Sequence, residues 1–160
     1  MTTAAVATPP TMQLFQKLER LPLGKTIFAL GLCLKAPYFS SIKPELVGLE
    51  EGKSHWRIKK RRSVTNHLGT VHALAMGNLC ELAAGTLMET SLPRHKRWIP
   101  KNMNIEYIKK AETDLDGIAL MDVETLATAN GDTPIEVRVT DANHNLVVRA
   151  VINMWISDKK

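Results

Sequence analysis

The chain has 160 residues, enough for one domain with a substantial core and too few for two domains of ordinary size. Apolar residues make up 44% and charged residues 23%, as in ordinary globular proteins, which argues against disorder along the whole chain. The formal charge of +5 favours an acidic or polyanionic partner but does not choose among coenzymes, proteins and nucleic acids.

Cysteine content and the absence of long apolar runs bear on the compartment. Cys33 and Cys80 are too few for a disulfide framework and form no Cys-x-x-Cys metal signature. The first ten residues show no secretory pattern, and the longest apolar run, 27–34, is far below the roughly 20 residues that span a bilayer. We expect a cytoplasmic protein that needs no metal or redox cofactor and does not contact a membrane.

The first part of the chain is punctuated by proline and glycine and predicts helices. Residues 1–10 are small and uncharged, and we expect them to be disordered. Residues 12–21 carry apolar side chains at helical spacing, and residues 26–34 fit either a second helix or a buried strand. We therefore expect an N-terminal helical extension over residues 11–40.

Residues 41–160 have the pattern of one domain with strands and a single long helix. The helix is expected over residues 71–89, and its core candidates are Leu74, Leu79, Leu82 and Leu87. The predicted strands are residues 45–49, 54–61, 103–107, 118–128, 135–139 and 146–156. Turns are predicted at Glu51-Gly52, at Asn130-Gly131, which is a tight-hairpin signal, and at 141–145.

The order of these elements predicts the architecture. A strand pair comes first, then the long helix, then three or four antiparallel strands. One helix cannot cover both faces of so large a sheet, so the sheet is expected to wrap around the helix. The predicted fold class is α+β.

The segment from residue 66 to residue 81 carries the chemistry. Asn66, Gly69 and Thr70 form a turn-prone approach to a helix start, where a free backbone N–H near Ala73 would stabilise a developing oxyanion. Glu81 is the one charged residue between residues 72 and 89. It shares a helix stripe with small or apolar residues, whereas a solvated stripe would normally carry more charge.

The pattern Asn-x-x-Gly-Thr-x-His over residues 66–72, followed nine residues after its His by an acid, resembles that of hotdog-fold acyl-CoA thioesterases. The similarity is greatest to the phenylacetate-pathway and thioesterase-superfamily group. The stretch from residue 103 to residue 111 is similar to the family's strand after the helix. The resemblance covers residues 45–156 and implies a hotdog fold, with an antiparallel sheet around one central helix.

The resemblance also implies roles for individual residues. Asn66 matches the residue that places the thioester or the attacking water, and His72 matches one that supports the loop. Ala73 stands where the family commonly has Gly, whose N–H polarises the thioester carbonyl. Glu81 matches the general base or nucleophile. In the family the Asn and the acid come from opposite subunits, which implies a homodimer or a dimer of dimers.

Other residues of this region are candidates for substrate binding. Gly69 and Thr70 lie in the same turn as Asn66. Some members of the family use a Ser or Thr near the start of the strand after the helix. Here that region contains Pro100 and has no hydroxyl, and Asn102 is the candidate substitute.

A basic run lies just before the motif. Arg57, Lys59, Arg61 and Arg62 either form a solvated strand face or bind the coenzyme A phosphates. Nucleic-acid binding fits the charge, but only 5% of residues are aromatic and no nucleic-acid-binding motif is present. Trp98 is predicted as a packing residue or as a wall of an acyl pocket.

The predicted function is hydrolysis of an acyl-CoA thioester to free acid and coenzyme A. One alternative is a non-catalytic hotdog protein that binds or senses acyl-CoA. A further alternative is an acyl-thioester dehydratase or hydratase, although the motifs in which those enzymes pair a His with an acid are not found. The acyl group is left open, as is the choice between coenzyme A and acyl carrier protein.

Overall fold

The computed structural model describes residues 8–159. The disordered tail predicted over residues 1–10 overlaps a helix that begins at Pro10, and its residues 1–7 lie outside the described part. Within it there are four α-helices and six strands. The helices are α1 (Pro10–Leu18), α2 (Gly24–Lys35), α3 (Ala73–Ser91) and α4 (Val123–Thr128). The strands are β1 (Glu45–Glu50), β2 (Lys53–Ile58), β3 (Lys96–Tyr107), β4 (Leu115–Leu120), β5 (Gly131–Asp141) and β6 (Leu146–Asp158).

The six strands form one antiparallel sheet in the order β1-β2-β4-β5-β6-β3, and α3 packs against one face of it. Helix α3 is apolar on nearly all sides, which is typical of a helix that is buried. Leu79, Leu82 and Leu87 are at most 1% exposed, as predicted. Gly117 on β4 permits this packing, because a Cβ there would lie 2.8 Å from the Leu79 side chain. The predicted α+β arrangement is confirmed.

Helices α1 and α2 form a layer beside α3, in which α1 packs on α3 and α2 packs on α1 and on β1. Phe15 and Phe28 meet edge to face, with ring centroids 5.4 Å apart, and both belong to the same core as the sheet. A 3-10 helix, Pro37–Ile42, joins this layer to β1. The side chain of Asn78 on α3 donates to Ser41 Oγ at 3.1 Å and so ties this connection to the central helix.

Strand β3 lies at one edge of the sheet, with β1 at the other, and is exposed along most of its length. It contains Pro100, which an edge strand tolerates because one side of the strand needs no ladder hydrogen bond. The pairing with β6 shifts between Pro100 and Asn102, which is a β-bulge. Along β3, side chains alternate between the face towards α3 and the opposite face, and the bulge shifts this alternation by one residue. Trp98 before the bulge and Met103 and Ile105 after it therefore all face α3.

Three local predictions were wrong. The strand predicted over 118–128 is β4 followed by α4, because Asp122 accepts a hydrogen bond from the Thr125 N–H and starts a helix. Asn130-Gly131 therefore connects a helix to β5 and is not a tight hairpin. Leu74 is 69% exposed, because it lies in the first turn of α3, where the helix extends beyond its cover.

The remaining boundaries agree with the predicted elements to within a few residues, apart from β3, which begins seven residues before its predicted start. The turn at 141–145 forms as predicted, with the Asp141 carboxylate accepting from the Asn143 and Asn145 N–H groups at 2.9 Å. Among the described residues, no helix combines the length and the apolar character needed to cross a membrane.

Candidate active site

The segment before α3 is a compact loop held by backbone hydrogen bonds. The Asn66 N–H donates to the Thr70 carbonyl, and the Gly69 N–H donates to the Asn66 carbonyl. Gly69 has a φ of +74°, a left-handed conformation that glycine adopts without strain. The loop is fixed at its C-terminal end by Val71, whose N–H donates to the Ala111 carbonyl at 2.8 Å.

The side chain of Asn66 organises this loop from within. Its Oδ1 accepts hydrogen bonds from the N–H groups of Leu68 and Thr70, at 2.9 and 3.2 Å. Its Nδ2 donates to the Thr70 hydroxyl at 2.9 Å. Asn66 and Thr70 therefore set the shape of the loop, which in turn fixes where α3 begins.

Replacing Asn66 with Ala is expected to destabilise the protein by about 1–3 kcal/mol, because two loop N–H groups lose their acceptor. Thermal unfolding of both proteins measures this. Asn66→Asp is the matched control, since it keeps the acceptor oxygen for both N–H groups. If Asn66→Ala unfolds at the same temperature as the unchanged protein, the side chain does not organise the loop.

The N–H groups of the first turn of α3 have no acceptor within the helix body and depend on the residue that precedes it. His72 provides acceptors for three of them. Its Nδ1 accepts from Leu74 at 3.1 Å, and its carbonyl accepts from Ala75 and Met76. Within residues 8–159 the Ala73 N–H has no acceptor. His72 thus caps the helix, which is consistent with the structural role expected for it. The Ala73 N–H is left free within the described residues.

Glu81 lies in the middle of α3, on a stripe with Gly77 and Gly85. A Cβ at Gly77 would lie 3.3 Å from the Ile105 side chain, and a Cβ at Gly85 would lie 3.2 Å from the Trp98 ring. Glu81 therefore stands opposite the middle of β3. It is exposed, and within the described residues its carboxylate makes no hydrogen bond or ion pair. The sequence suggested that the helix stripe of Glu81 is shielded from solvent, but in a single chain the Glu81 side chain is exposed.

The free N–H and the carboxylate are well separated within one chain. Ala73 and Glu81 are eight residues apart on a continuous helix, which places them about 12 Å apart along its axis. This separation is larger than the distance between a carbonyl oxygen and the carbon that a water attacks, so it favours a site that takes the two groups from different subunits. Both groups can act on one thioester if they come from different subunits.

The family model for a domain of unknown function, DUF4442, matches residues 24–156. The chain belongs to this family. The match begins at the first residue of α2, so it includes part of the helical layer that packs on α3. No curated protein matches the sequence significantly.

Solved structures similar to this DUF4442 chain confirm the hotdog fold. A structural-genomics protein, APC5556, has 36% identity and a TM-score of 0.82, over 93% of this chain and 99% of that one. PA5026 from Pseudomonas aeruginosa, described as a probable thioesterase, has 23% identity and a TM-score of 0.74, over 87% and 97%. The protein smu.793 from Streptococcus mutans, bound to acetyl-CoA, has 18% identity and a TM-score of 0.60, over 73% and 90%.

Asn102 does not lie beside Glu81 in the DUF4442 chain. It pairs with Asn153, whose neighbours Ile152 and Met154 point into the core. Directly paired residues share a face of the sheet, so Asn102 lies on the face opposite to α3. The expectation that Asn102 replaces a hydroxyl near the carboxylate is therefore not supported, because the bulge at this position turns it outward.

Most of the predicted basic run is engaged within the chain. Arg57 makes a two-pronged ion pair with Asp116, with Nε and Nη2 at 3.1 and 3.0 Å, and Asp116 raises the pKa of the guanidinium. Glu45 likewise raises the pKa of Lys59, whose Nζ lies 2.7 Å from the carboxylate. Arg61 donates to backbone carbonyls of the 3-10 helix. Arg62 is exposed, and its side chain makes no hydrogen bond or ion pair with the described residues.

The cysteines do not offer a competing nucleophile. Burial raises the pKa of the Cys80 thiol to about 12, so the thiol stays protonated at any ordinary pH. Burial also raises the pKa of Cys33. Among residues 8–159, no three His, Cys, Asp or Glu side chains are grouped so that they could hold a metal ion.

Sequence reasoning missed one component of the site. A cleft of about 520 Å³ lies between α3 and the layer formed by α1 and α2, and Glu81 is among the residues that line it. The helical spacing of Leu14 and Leu18 indicated a buried stripe on α1, but not that the stripe faces a cleft. Trp98 lines the same cleft, in agreement with its prediction as a pocket wall.

Proposed function

We propose that this protein is a thioesterase that hydrolyses acyl-CoA at sites formed between two subunits. The observation that carries the proposal is the pair of groups on α3, an N–H at Ala73 that is unpaired within residues 8–159 and an exposed carboxylate at Glu81. An oxyanion donor and a carboxylate base are the two groups that thioester hydrolysis needs. The names of structural relatives support the class, since one is described as a probable thioesterase and another binds acetyl-CoA.

The reaction needs one water and no redox partner. In the general-base form, the Glu81 carboxylate takes a proton from water as the oxygen attacks the thioester carbon. The carbonyl oxygen becomes an oxyanion and accepts a hydrogen bond from the Ala73 N–H of the other subunit. The carbon–sulfur bond then breaks, the coenzyme A thiolate takes the proton, and the free acid leaves. In the nucleophile form, Glu81 attacks the carbon itself, the carbon–sulfur bond breaks and coenzyme A leaves as the thiolate. Water then hydrolyses the resulting anhydride, which regenerates Glu81 and supplies the proton that the thiolate takes.

Exposed apolar side chains support the dimer on which this mechanism depends. Leu68 and Leu74, on the loop and the first turn of α3, are each 69% exposed. Tyr107 and Ile108 at the end of edge strand β3 are about half exposed, and the Tyr107 hydroxyl donates to the Ala73 carbonyl at 3.2 Å. A cluster of large apolar side chains around a helix start is typical of a surface that another protein covers. A second copy that covers it would bring its Glu81 towards Ala73.

Thiol release from a panel of acyl-CoA thioesters tests the proposal. The purified protein is expected to release coenzyme A from at least one of acetyl-, butyryl-, octanoyl- and palmitoyl-CoA well above the uncatalysed rate. The molar mass measured by light scattering is expected to be that of a dimer or of a multiple of it. A purely monomeric protein, or one without thiol release on any substrate, would contradict the proposal.

One observation favours a second candidate, a protein that binds acyl-CoA without hydrolysing it. Pro100 faces α3 near Glu81, where some hotdog thioesterases have a hydroxyl, so no Ser or Thr side chain assists the carboxylate there. A rise in melting temperature with acyl-CoA but no thiol release would favour this candidate.

A further inference from the structure

The cleft between α3 and the helical layer has an apolar wall on every element that lines it. Leu14 and Leu18 come from α1, Ile27 and Leu32 from α2, and Trp98 from β3. Its volume of about 520 Å³ is in the range of small-molecule sites. Leu14 and Ile27 are about half exposed, so apolar surface in the cleft is left uncovered in the single chain.

The cleft is lined by two carboxylates, Glu81 and Glu89, which differ in their hydrogen bonding. The two ends of the cleft along α3 are therefore chemically different. The two carboxylates lie eight residues apart on one stripe of α3, about 12 Å along the axis. The Glu89 carboxylate accepts from Trp98 Nε1 at 3.1 Å and from the Thr11 hydroxyl at 3.4 Å, so its oxygens are engaged. Glu81 has no such partners within the described residues. The apolar cleft thus runs from an unpaired carboxylate to a paired one.

We propose that this cleft binds the hydrocarbon chain of the acyl group, with the thioester at Glu81 and the chain running under α1 and α2 towards Glu89. This inference rests on the proposed function and adds to it that the substrates are medium- or long-chain acyl thioesters. The chain is the occupant that fits, because the cleft is mainly apolar, follows α3 for about 12 Å from Glu81 to Glu89 and is lined by the carboxylate that acts on the carbonyl. An acetyl group would leave most of the cleft empty.

Gly31 on α2 provides a sharp test. It lines the cleft, and a Cβ at this position would meet no atom within 4 Å. A Leu side chain at this position therefore begins in open space and takes up part of the cleft, and it favours the helix, since Gly is a poor helix former. Gly31→Ala is the matched control, because it gives a similar gain in helix propensity and adds only one methyl group.

The measured quantity is the ratio of kcat/KM for octanoyl-CoA to that for acetyl-CoA. In the unchanged protein kcat/KM is expected to rise about fourfold for each methylene that the cleft buries. A Leu side chain takes the space of several methylenes, so Gly31→Leu is expected to lower the ratio on the order of a hundredfold. Gly31→Ala is expected to lower it about fourfold or less. An unchanged ratio in Gly31→Leu would overturn the proposal.

Direct binding separates failure of this inference from failure of the proposed function. Calorimetry with a thioether analogue of octanoyl-CoA, which cannot be hydrolysed, is expected to show weaker binding to Gly31→Leu by a similar factor. If no substrate is hydrolysed but this difference is found, the cleft binds acyl chains and the hydrolase assignment is wrong. If Gly31→Leu changes the molar mass and not the affinity, a second subunit fills the cleft and the inference is wrong.

Discussion

Replacing Glu81 with Gln is expected to lower kcat for acyl-CoA hydrolysis by roughly a hundredfold to ten-thousandfold, the usual contribution of a positioned base. The amide has the shape of the carboxylate but cannot take a proton from water or attack the thioester. KM is expected to change little, because Gln keeps the shape of the side chain and Glu81 acts on the reacting atoms. Steady-state thiol release on octanoyl-CoA measures both constants.

Glu124→Gln is the matched control for this substitution. Glu124 is an exposed carboxylate in the first turn of α4, on a different element from the cleft and the loop. Its amide variant carries the same change of charge and is expected to hydrolyse substrate as the unchanged protein does. If Glu81→Gln keeps the full kcat, Glu81 is neither base nor nucleophile and the mechanism is wrong.

Single-turnover hydrolysis in water enriched in heavy oxygen distinguishes the two forms of the mechanism. A nucleophilic Glu81 forms an anhydride, and attack of water on the glutamyl carbon of that anhydride leaves the label in Glu81. A general base never bonds to the acyl group, so the label is found in the free acid alone. Mass spectrometry of the peptide that contains Glu81 therefore identifies the nucleophile form if it is labelled.

The sequence predicted the parts of the site that depend on local structure. The turn at Asn66 and Gly69, the helix start at residue 73 and the acid on an apolar helix all follow from side-chain chemistry at fixed spacing. These are interactions between residues within one or two helical turns of each other. For the same reason the sheet around α3 could be predicted, since alternating and helical periodicities are local signals.

The parts that could not be predicted depend on contacts between distant residues. The side of the sheet on which Asn102 lies is set by a bulge in its pairing with β6, which periodicity alone does not reveal. The engagement of Arg57 depends on Asp116, which comes from a strand after the long helix. The cleft beside Glu81 is lined by residues of α1, α2, α3 and β3, which lie far apart in the sequence, so it could not be predicted from local patterns.

Replacing Ala73 with Pro is expected to lower kcat by roughly a hundredfold to a thousandfold, the usual effect of losing one oxyanion donor. Proline has no N–H, and it is well tolerated as the first residue of a helix, which is the position of Ala73 in α3. His72 already has a φ of −65° and a ψ of 140°, the extended conformation that a following proline requires. Ala73→Pro thus removes the donor and is expected to keep the melting temperature.

Ala73→Gly is the matched control for this substitution, because it keeps the N–H and removes only the methyl group. It is expected to hydrolyse acyl-CoA at least as fast as the unchanged protein, since a smaller residue leaves more room for the thioester. A large loss of kcat in both variants would show that the helix start, and not the N–H, had been damaged. Full activity in Ala73→Pro would show that Ala73 is not the oxyanion donor.

Mixing the two inactive variants tests whether each site takes its groups from two subunits. A dimer of one Ala73→Pro chain and one Glu81→Gln chain has both defects in one site and an intact pair in the other. Random exchange of subunits makes about half of the dimers mixed, so about a quarter of the unchanged activity is expected to return. If both groups acted within one chain, every site would remain defective and no activity would return. The 12 Å between Ala73 and Glu81 along α3 favours the first outcome.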